Sequence, residues 1–234
     1  MRKIIAIAWA TLLQSRWQLL LLAAWPWLFT LLLQYAGGAP TADDVASLLH
    51  QECLYGLALI AILASNAFGT ELRSRRVVFV LSRAVSRKQY LAALWLSAVV
   101  PGMVYLLSMM GSGLIANGRD RLDITSFLHM LLALLFLMVW VGALGVLSSM
   151  LLPGFMAWVG VGMAAAFILY LSGDNMYQGP GQLARSIVNG PLLRGQTVKA
   201  IDLVSVAGTL LQTTIFAVLA YSVFQRKDIQ SLSD

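Results

Sequence analysis

The sequence predicts an all-α membrane protein built from six membrane-spanning helices, and three observations carry that reading. Of the 234 residues, 59% are hydrophobic and only 11% charged, whereas a soluble domain usually carries about a quarter charged residues. Apolar runs recur along the chain at lengths suited to a bilayer, because about 20 helical residues cross about 30 Å of hydrocarbon. Lys and Arg fall between those runs instead of forming one patch with aromatics, so the net charge of +6 reads as membrane topology and not as nucleic-acid binding.

The whole chain, residues 1–234, is read as one transmembrane domain. The opening Met1-Arg2-Lys3 and the apolar stretch after it imitate a signal peptide. No small-residue cleavage site follows, and Arg16 leads straight into a longer apolar run, so the segment is expected to be retained. Residues 1–16, with Trp9 at their middle and Gln14-Ser15-Arg16 as an interruption, suit an interfacial helix lying along the membrane; the alternative is a longer first span.

The six spans are placed at about 17–36, 53–70, 90–116, 127–150, 155–173 and 203–224. Pro26, inside the first, removes one backbone hydrogen bond and predicts a kink of structural origin. Pro153-Gly154 leaves room only for a tight hairpin between the fourth and fifth spans. The 174–202 connection is the longest external one and has space for a short helix near Leu183 to Val188; long connections of this kind are often functional.

Orientation follows from the cations. Eleven Lys and Arg lie on one side, in the amino terminus, the 71–89 segment and the carboxyl terminus, and five on the other. Positive charge favours the cytoplasmic face, which puts both termini and residues 71–89 there.

That 71–89 segment is the most informative stretch. From Glu71 to Tyr90 it reads Glu-Leu-Arg-Ser-Arg-Arg-Val-Val-Phe-Val-Leu-Ser-Arg-Ala-Val-Ser-Arg-Lys-Gln-Tyr and holds seven charges. Burying them at the bilayer centre would cost roughly 20 kcal/mol. Yet Val77 to Leu81 are strongly apolar and need a protein groove or the membrane interface to cover them. An amphipathic helix docked into a partner satisfies both demands; a basic loop that only fixes orientation is the simpler alternative. Ser86-Arg87-Lys88-Gln89 fits a capping box at the start of the third span.

The same run resembles the cytoplasmic loop of type-2 permeases of the ATP-binding-cassette (ABC) transporters. The matching positions are Glu71, Arg75 and Arg76, Val77 to Val80, Leu81-Ser82-Arg83, Val85-Ser86-Arg87 and Tyr90. Ala84 stands where that family often has proline, and Val77 where a glycine is frequent. The motif covers about twenty residues, and the six-helix layout extends the similarity along the chain. The resemblance implies that residues 71–89 form a coupling helix seated in a cleft of a cytoplasmic ATPase subunit. The coupling residues would be Glu71, Arg73, Arg75, Arg76, Val77, Phe79, Leu81, Ser82, Arg83, Val85, Ser86, Arg87 and Tyr90, with apolar anchors supplying contact area and arginines pairing with carboxylates at the rim. Glu71 can instead fix the segment by pairing with Arg75 at helical spacing, the role favoured here.

The resemblance further implies a permease in a bacterial plasma (inner) membrane, paired with a second copy or a similar subunit and with ABC ATPase subunits that bring ATP and Mg. Its expected activity is export of a hydrophobic or amphipathic compound. A complex using ATP for mechanical signalling or assembly, and an ATP-independent membrane scaffold, are the competing readings.

No phosphate-binding Gly-x-x-x-x-Gly-Lys-Ser/Thr loop occurs, so no cofactor is expected on this chain. Nor is catalysis. The two histidines, His50 and His129, have no ligand-like or triad-like spacing, and the lone Cys53 excludes an internal disulfide. The ten methionines, Met109-Met110 among them, read as packing and not as metal ligands. The centres of the spans carry no ionisable residue, which points to an external energy source and away from an ion-coupled carrier. Ser65, Asn66, Ser108, Ser112, Gln212, Thr213 and Thr214 are the inner polar residues, expected mainly to join helix to helix. Small residues at Ala61, Ser65 and Gly69, and at Gly145 and Ser149, allow close helix approach, within the chain or between two copies.

Overall fold

The computed structural model describes residues 2–14, 16–35, 40–73, 80, 85–116, 122–152, 155–171, 179–188, 190, 192–193 and 201–226. These residues form a helical bundle whose elements are α1 (Arg2–Gln14), α2 (Arg16–Tyr35), α3 (Ala42–Arg73), α4 (Arg87–Ala116), α5 (Ile124–Leu151), α6 (Phe155–Leu171), α7 (Pro180–Val188) and α8 (Leu203–Arg226). Strand pairing among them is limited to an isolated antiparallel bridge between Leu122 and Leu193.

Four helices are long and apolar enough to cross a membrane: α3 over Ala42–Gly69, α4, α5 and α8. Two shorter apolar helices, Leu19–Tyr35 and Phe155–Ala166, occupy the positions expected of the first and fifth spans. The outer surface is greasy: Leu203, Leu211 and Val218 on α8 and Leu21 and Leu32 on α2 are all exposed. A continuous apolar exterior of this kind is covered by lipid, because water would solvate it poorly.

Helix α5 is the hub. It packs on α3, α4, α6, α7 and α8, and 78% of its most apolar window is buried against 22–39% for the other three long helices. Its start is fixed by Asp123, whose carboxylate accepts from the Ser126 backbone N–H at 2.8 Å and hydroxyl at 2.7 Å. Its end is closed by the Leu152 N–H, which donates to the Ser148 carbonyl, and α6 begins at Phe155, so the connection is as tight as Pro153-Gly154 predicted. Gly145 is required where α3 crosses α5: a Cβ there would collide with Ala64 and press on the Ser65 backbone N at 3.2 Å. At Gly145 the small-residue pattern therefore serves packing within the chain.

Helix α3 differs most from expectation, since it begins at Ala42 and not near residue 53. Thr41 and Asp44 cap each other: the Asp44 N–H donates to Thr41 Oγ1 at 3.2 Å, and the Thr41 N–H donates to Asp44 Oδ2 at 2.8 Å. From that cap, Val45, Leu49, Cys53, Ile60, Ala64 and Phe68 form a fully buried stripe at the three-to-four-residue spacing of one helix face. The extra turns are too polar to read as membrane span, yet their inner face is core.

Helix α1 is separate from α2 and rests mainly on α4, with Ala8 and Leu12 buried and Ile5 and Trp9 exposed. Helix α2 continues through the buried Pro26. Ser108 on α4 donates to the Ala23 carbonyl, adjacent to the Leu22 carbonyl that Pro26 deprives of its helical donor. Helix α7 lies within the 174–202 connection where a short helix was expected, and Leu183 and Ile187 anchor it in the main core.

Candidate functional site

The described ends of the 71–89 segment converge on one aromatic residue of α8, Phe224, which is fully buried. Phe68 meets its ring edge-on at a centroid distance of 5.6 Å, Tyr90 stacks on it at 5.8 Å, and the Arg87 guanidinium lies 5.8 Å from its centroid. Around them Ala64, Leu94, Ala98, Val146, Leu147, Met150 and Ala220 complete a second core, separate from the main one, with Val80 and Val85 packed against it.

Three polar devices hold this end together. The Tyr90 hydroxyl donates to Glu71 Oε2 at 3.2 Å, both residues being buried, so the last turn of α3 is tied to the first turn of α4. Arg87 Nη1 donates to the Phe224 and Gln225 carbonyls at 3.0 and 2.6 Å. Those carbonyls belong to the last turn of α8, where the helix leaves acceptors unsatisfied and its dipole favours a cation. The capping box is present: the Gln89 N–H donates to Ser86 Oγ at 3.2 Å and the Ser86 N–H to Gln89 Oε1 at 3.3 Å. Lys88 lies 5.3 Å from the Tyr221 ring centroid, adding a second contact with α8.

The structure thus brings Glu71, Val85, Ser86, Arg87 and Tyr90 into one assembly, in which Tyr90 is a hydrogen-bond partner of Glu71. Arg75, the partner expected for Glu71, lies outside the described residues, as do Arg76, Val77, Phe79, Leu81, Ser82 and Arg83. Arg73 closes α3, but its side chain lies outside the described set too. Sequence reasoning missed Phe224 as the organiser and Arg87 as a cap on α8. An arginine in a basic loop reads as solvent-facing, and nothing local ties residue 87 to residues 224 and 225.

The inner polar residues behave differently from expectation. Ser65 and Asn66 both donate to the Ile62 carbonyl, Ser112 to Met109, Thr213 to Thr209 and Thr214 to Leu210, all within their own helices. Hydroxyls in helices satisfy themselves on the preceding turn. Among the seven, two join helices: Ser108 to α2, and Gln212, whose Oε1 accepts from Trp140 Nε1 at 3.0 Å.

A second correction concerns ionisable groups. Glu52, expected in an external loop, lies inside α3 at 0% exposure, and among the described residues neither carboxylate oxygen has a hydrogen-bond partner. Tyr105 on α4 donates to the Glu52 backbone carbonyl at 2.8 Å and not to its carboxyl. The signal was present in the sequence: the Thr41-x-x-Asp44 cap and the apolar stripe that follows carry the helix back past residue 52. Cys53, the free cysteine, is buried beside it. Among the described residues His50 Nε2 and His129 Nδ1 are buried without hydrogen-bond partners, and no three His, Cys, Asp or Glu converge as a metal site.

No protein-family model matches the chain, and no curated protein matches it as a relative.

Proposed function

We propose that this chain is the membrane-spanning permease subunit of an ABC transporter, with six spans, both termini in the cytoplasm of a bacterium, and export of a hydrophobic or amphipathic compound as its task. It works with a second copy or a similar subunit and with separate ATPase subunits that bind ATP and Mg. The spans are α2, α3, α4, α5, α6 and α8, with α1 lying along the interface.

The observation that carries this reading is the 71–90 run together with its footing. A segment of seven charges around an apolar centre is held at both ends: by the buried pair of Glu71 with Tyr90, and by the half-buried Arg87 on the last carbonyls of α8. Displacement of such a segment by a partner would be passed to α3, α4 and α8 together, because packed interiors transmit strain instead of absorbing it. This is what coupling to an ATPase demands, and a loop serving only to fix orientation has no need of it.

The test is co-purification. Phe79→Glu combined with Leu81→Glu removes two apolar anchors and leaves the Glu71, Arg87 and Tyr90 side chains in place, and is expected to abolish recovery of the ATPase subunit with the permease in mild detergent. Undiminished recovery, or a native complex holding no nucleotide hydrolase at all, would overturn the proposal; the latter is what a scaffold working without ATP predicts.

A further inference from the structure

We propose that Glu52 is the binding group for a hydrophobic organic cation inside the bundle, with Tyr105 beside it and the Trp25, Phe29 and Tyr55 rings forming the aromatic rim of the same site. Glu52 is fully buried and its two oxygens have no hydrogen-bond partner among the described residues. A carboxylate offers about four acceptor positions, and burying it unpaired costs several kcal/mol. Ionisable residues within spans are rare for that reason and serve the traffic of charge. A positive charge brought into the bundle beside Glu52 would relieve that cost.

The surroundings decide which cation fits. A small inorganic ion needs several oxygen ligands, whereas here the Tyr105 hydroxyl is committed to the Glu52 carbonyl and no acidic or metal-binding group of three gathers among the described residues. What does gather is apolar and aromatic. The Tyr105 ring comes within 2.7 Å, and the Met138 methyl within 2.9 Å, of where a Cβ on Gly56 would stand, one turn beyond Glu52. Tyr55, three residues from Glu52 and so its neighbour on the helix surface, meets Trp25 and Phe29 at centroid distances of 6.3 and 6.1 Å. Trp25 and Tyr55 are 37% and 42% exposed, so this cluster reaches the outer face of the bundle, and Tyr55 belongs to the turn of α3 that follows Glu52. Aromatic faces attract diffuse positive charge, and one carboxylate neutralises it. The binding step stands on the bundle alone; that the bound cation is exported cargo rests on the permease reading above.

The test is equilibrium binding of radiolabelled tetraphenylphosphonium to the purified full-length protein in mild detergent, against tetraphenylborate, an ion of the same shape and opposite charge. Saturable binding of the cation that the anion does not displace is expected. Glu52→Gln should weaken it at least tenfold, Glu52→Asp should keep most of it, and Tyr55→Ala should weaken it severalfold. Equal binding of both ions by the wild type, a result that depends on no variant, would overturn the inference, as would unchanged affinity in a folded Glu52→Gln protein. ATPase co-purification is scored separately, so loss of the permease reading and loss of the cation site are distinguishable outcomes.

Discussion

Helix α3 carries two buried glutamates nineteen residues apart, and they are handled in opposite ways. Glu71, 2% exposed, receives the Tyr90 hydroxyl and sits beside a core organised by Phe224. Glu52, 0% exposed, receives no hydrogen bond on its carboxyl among the described residues. At 1.5 Å per residue about 28 Å of helix separates them, close to the thickness of the hydrocarbon. The contrast shows that burial alone says little about a carboxyl's role. A paired acid locks two helix ends, whereas an unpaired one is destabilising for as long as it carries its charge alone.

The largest test of the contrast removes the residue on which the Glu71 end is assembled. Phe224→Ala deletes a ring touched by Phe68, Tyr90 and Arg87 at once. Truncating a fully buried Phe costs about 3–5 kcal/mol, so thermal unfolding in detergent is expected to shift strongly downward. A shift no larger than that of a surface substitution would mean that this core does not hold the segment's footing.

The next test is a difference of sign. Glu71→Leu takes the carboxylate acceptor from the buried Tyr90 hydroxyl, and loss of an acceptor in a buried site costs about 1–3 kcal/mol. Glu52→Leu replaces an unpaired buried acid by a packed side chain of similar size, a change expected to be neutral or stabilising by about 1–4 kcal/mol. Measured side by side, the two substitutions should move the midpoint in opposite directions. If both destabilise, Glu52 has a partner that compensates its burial, and the distinction drawn between the two ends disappears.

The two ends were also unequally legible. At the Glu71 end the capping box Ser86-Gln89 and the start of α4 are local features, because the bonds span three residues and the pattern sits in one window. Helices α5, α6 and α8 follow the apolar runs closely for the same reason: Asp123 caps α5, Pro153-Gly154 separates α5 from α6 in the sequence, and the Val204 N–H at the start of α8 donates to Asp202 Oδ1 at 3.1 Å. At the Glu52 end hydropathy misled. The first turns of α3 alternate buried Val45, Leu49 and Cys53 with exposed Asp43, Asp44 and Gln51, so their average is too polar for a membrane span although one face is core. What no local pattern could supply were long-range partners: Arg87 with Phe224 and Gln225, Tyr90 with Glu71, Tyr105 with Glu52, and Trp140 with Gln212. Each pairing depends on which helices become neighbours around α5.

The smallest effect sharpens the contrast by asking how much of the Glu71 end is local. Ser86 donates nothing to the Phe224 core and acts through the Gln89 N–H it accepts from, while its own N–H is satisfied by Gln89. Ser86→Ala therefore removes one half of a reciprocal cap at the start of α4, and loss of such a cap costs about 1 kcal/mol. Unfolding should shift only slightly, and tetraphenylphosphonium binding at the far end of α3 should not change, since sites this far apart with no shared partner behave additively. A fall in cation affinity in Ser86→Ala would instead show that the two ends of α3 are energetically linked.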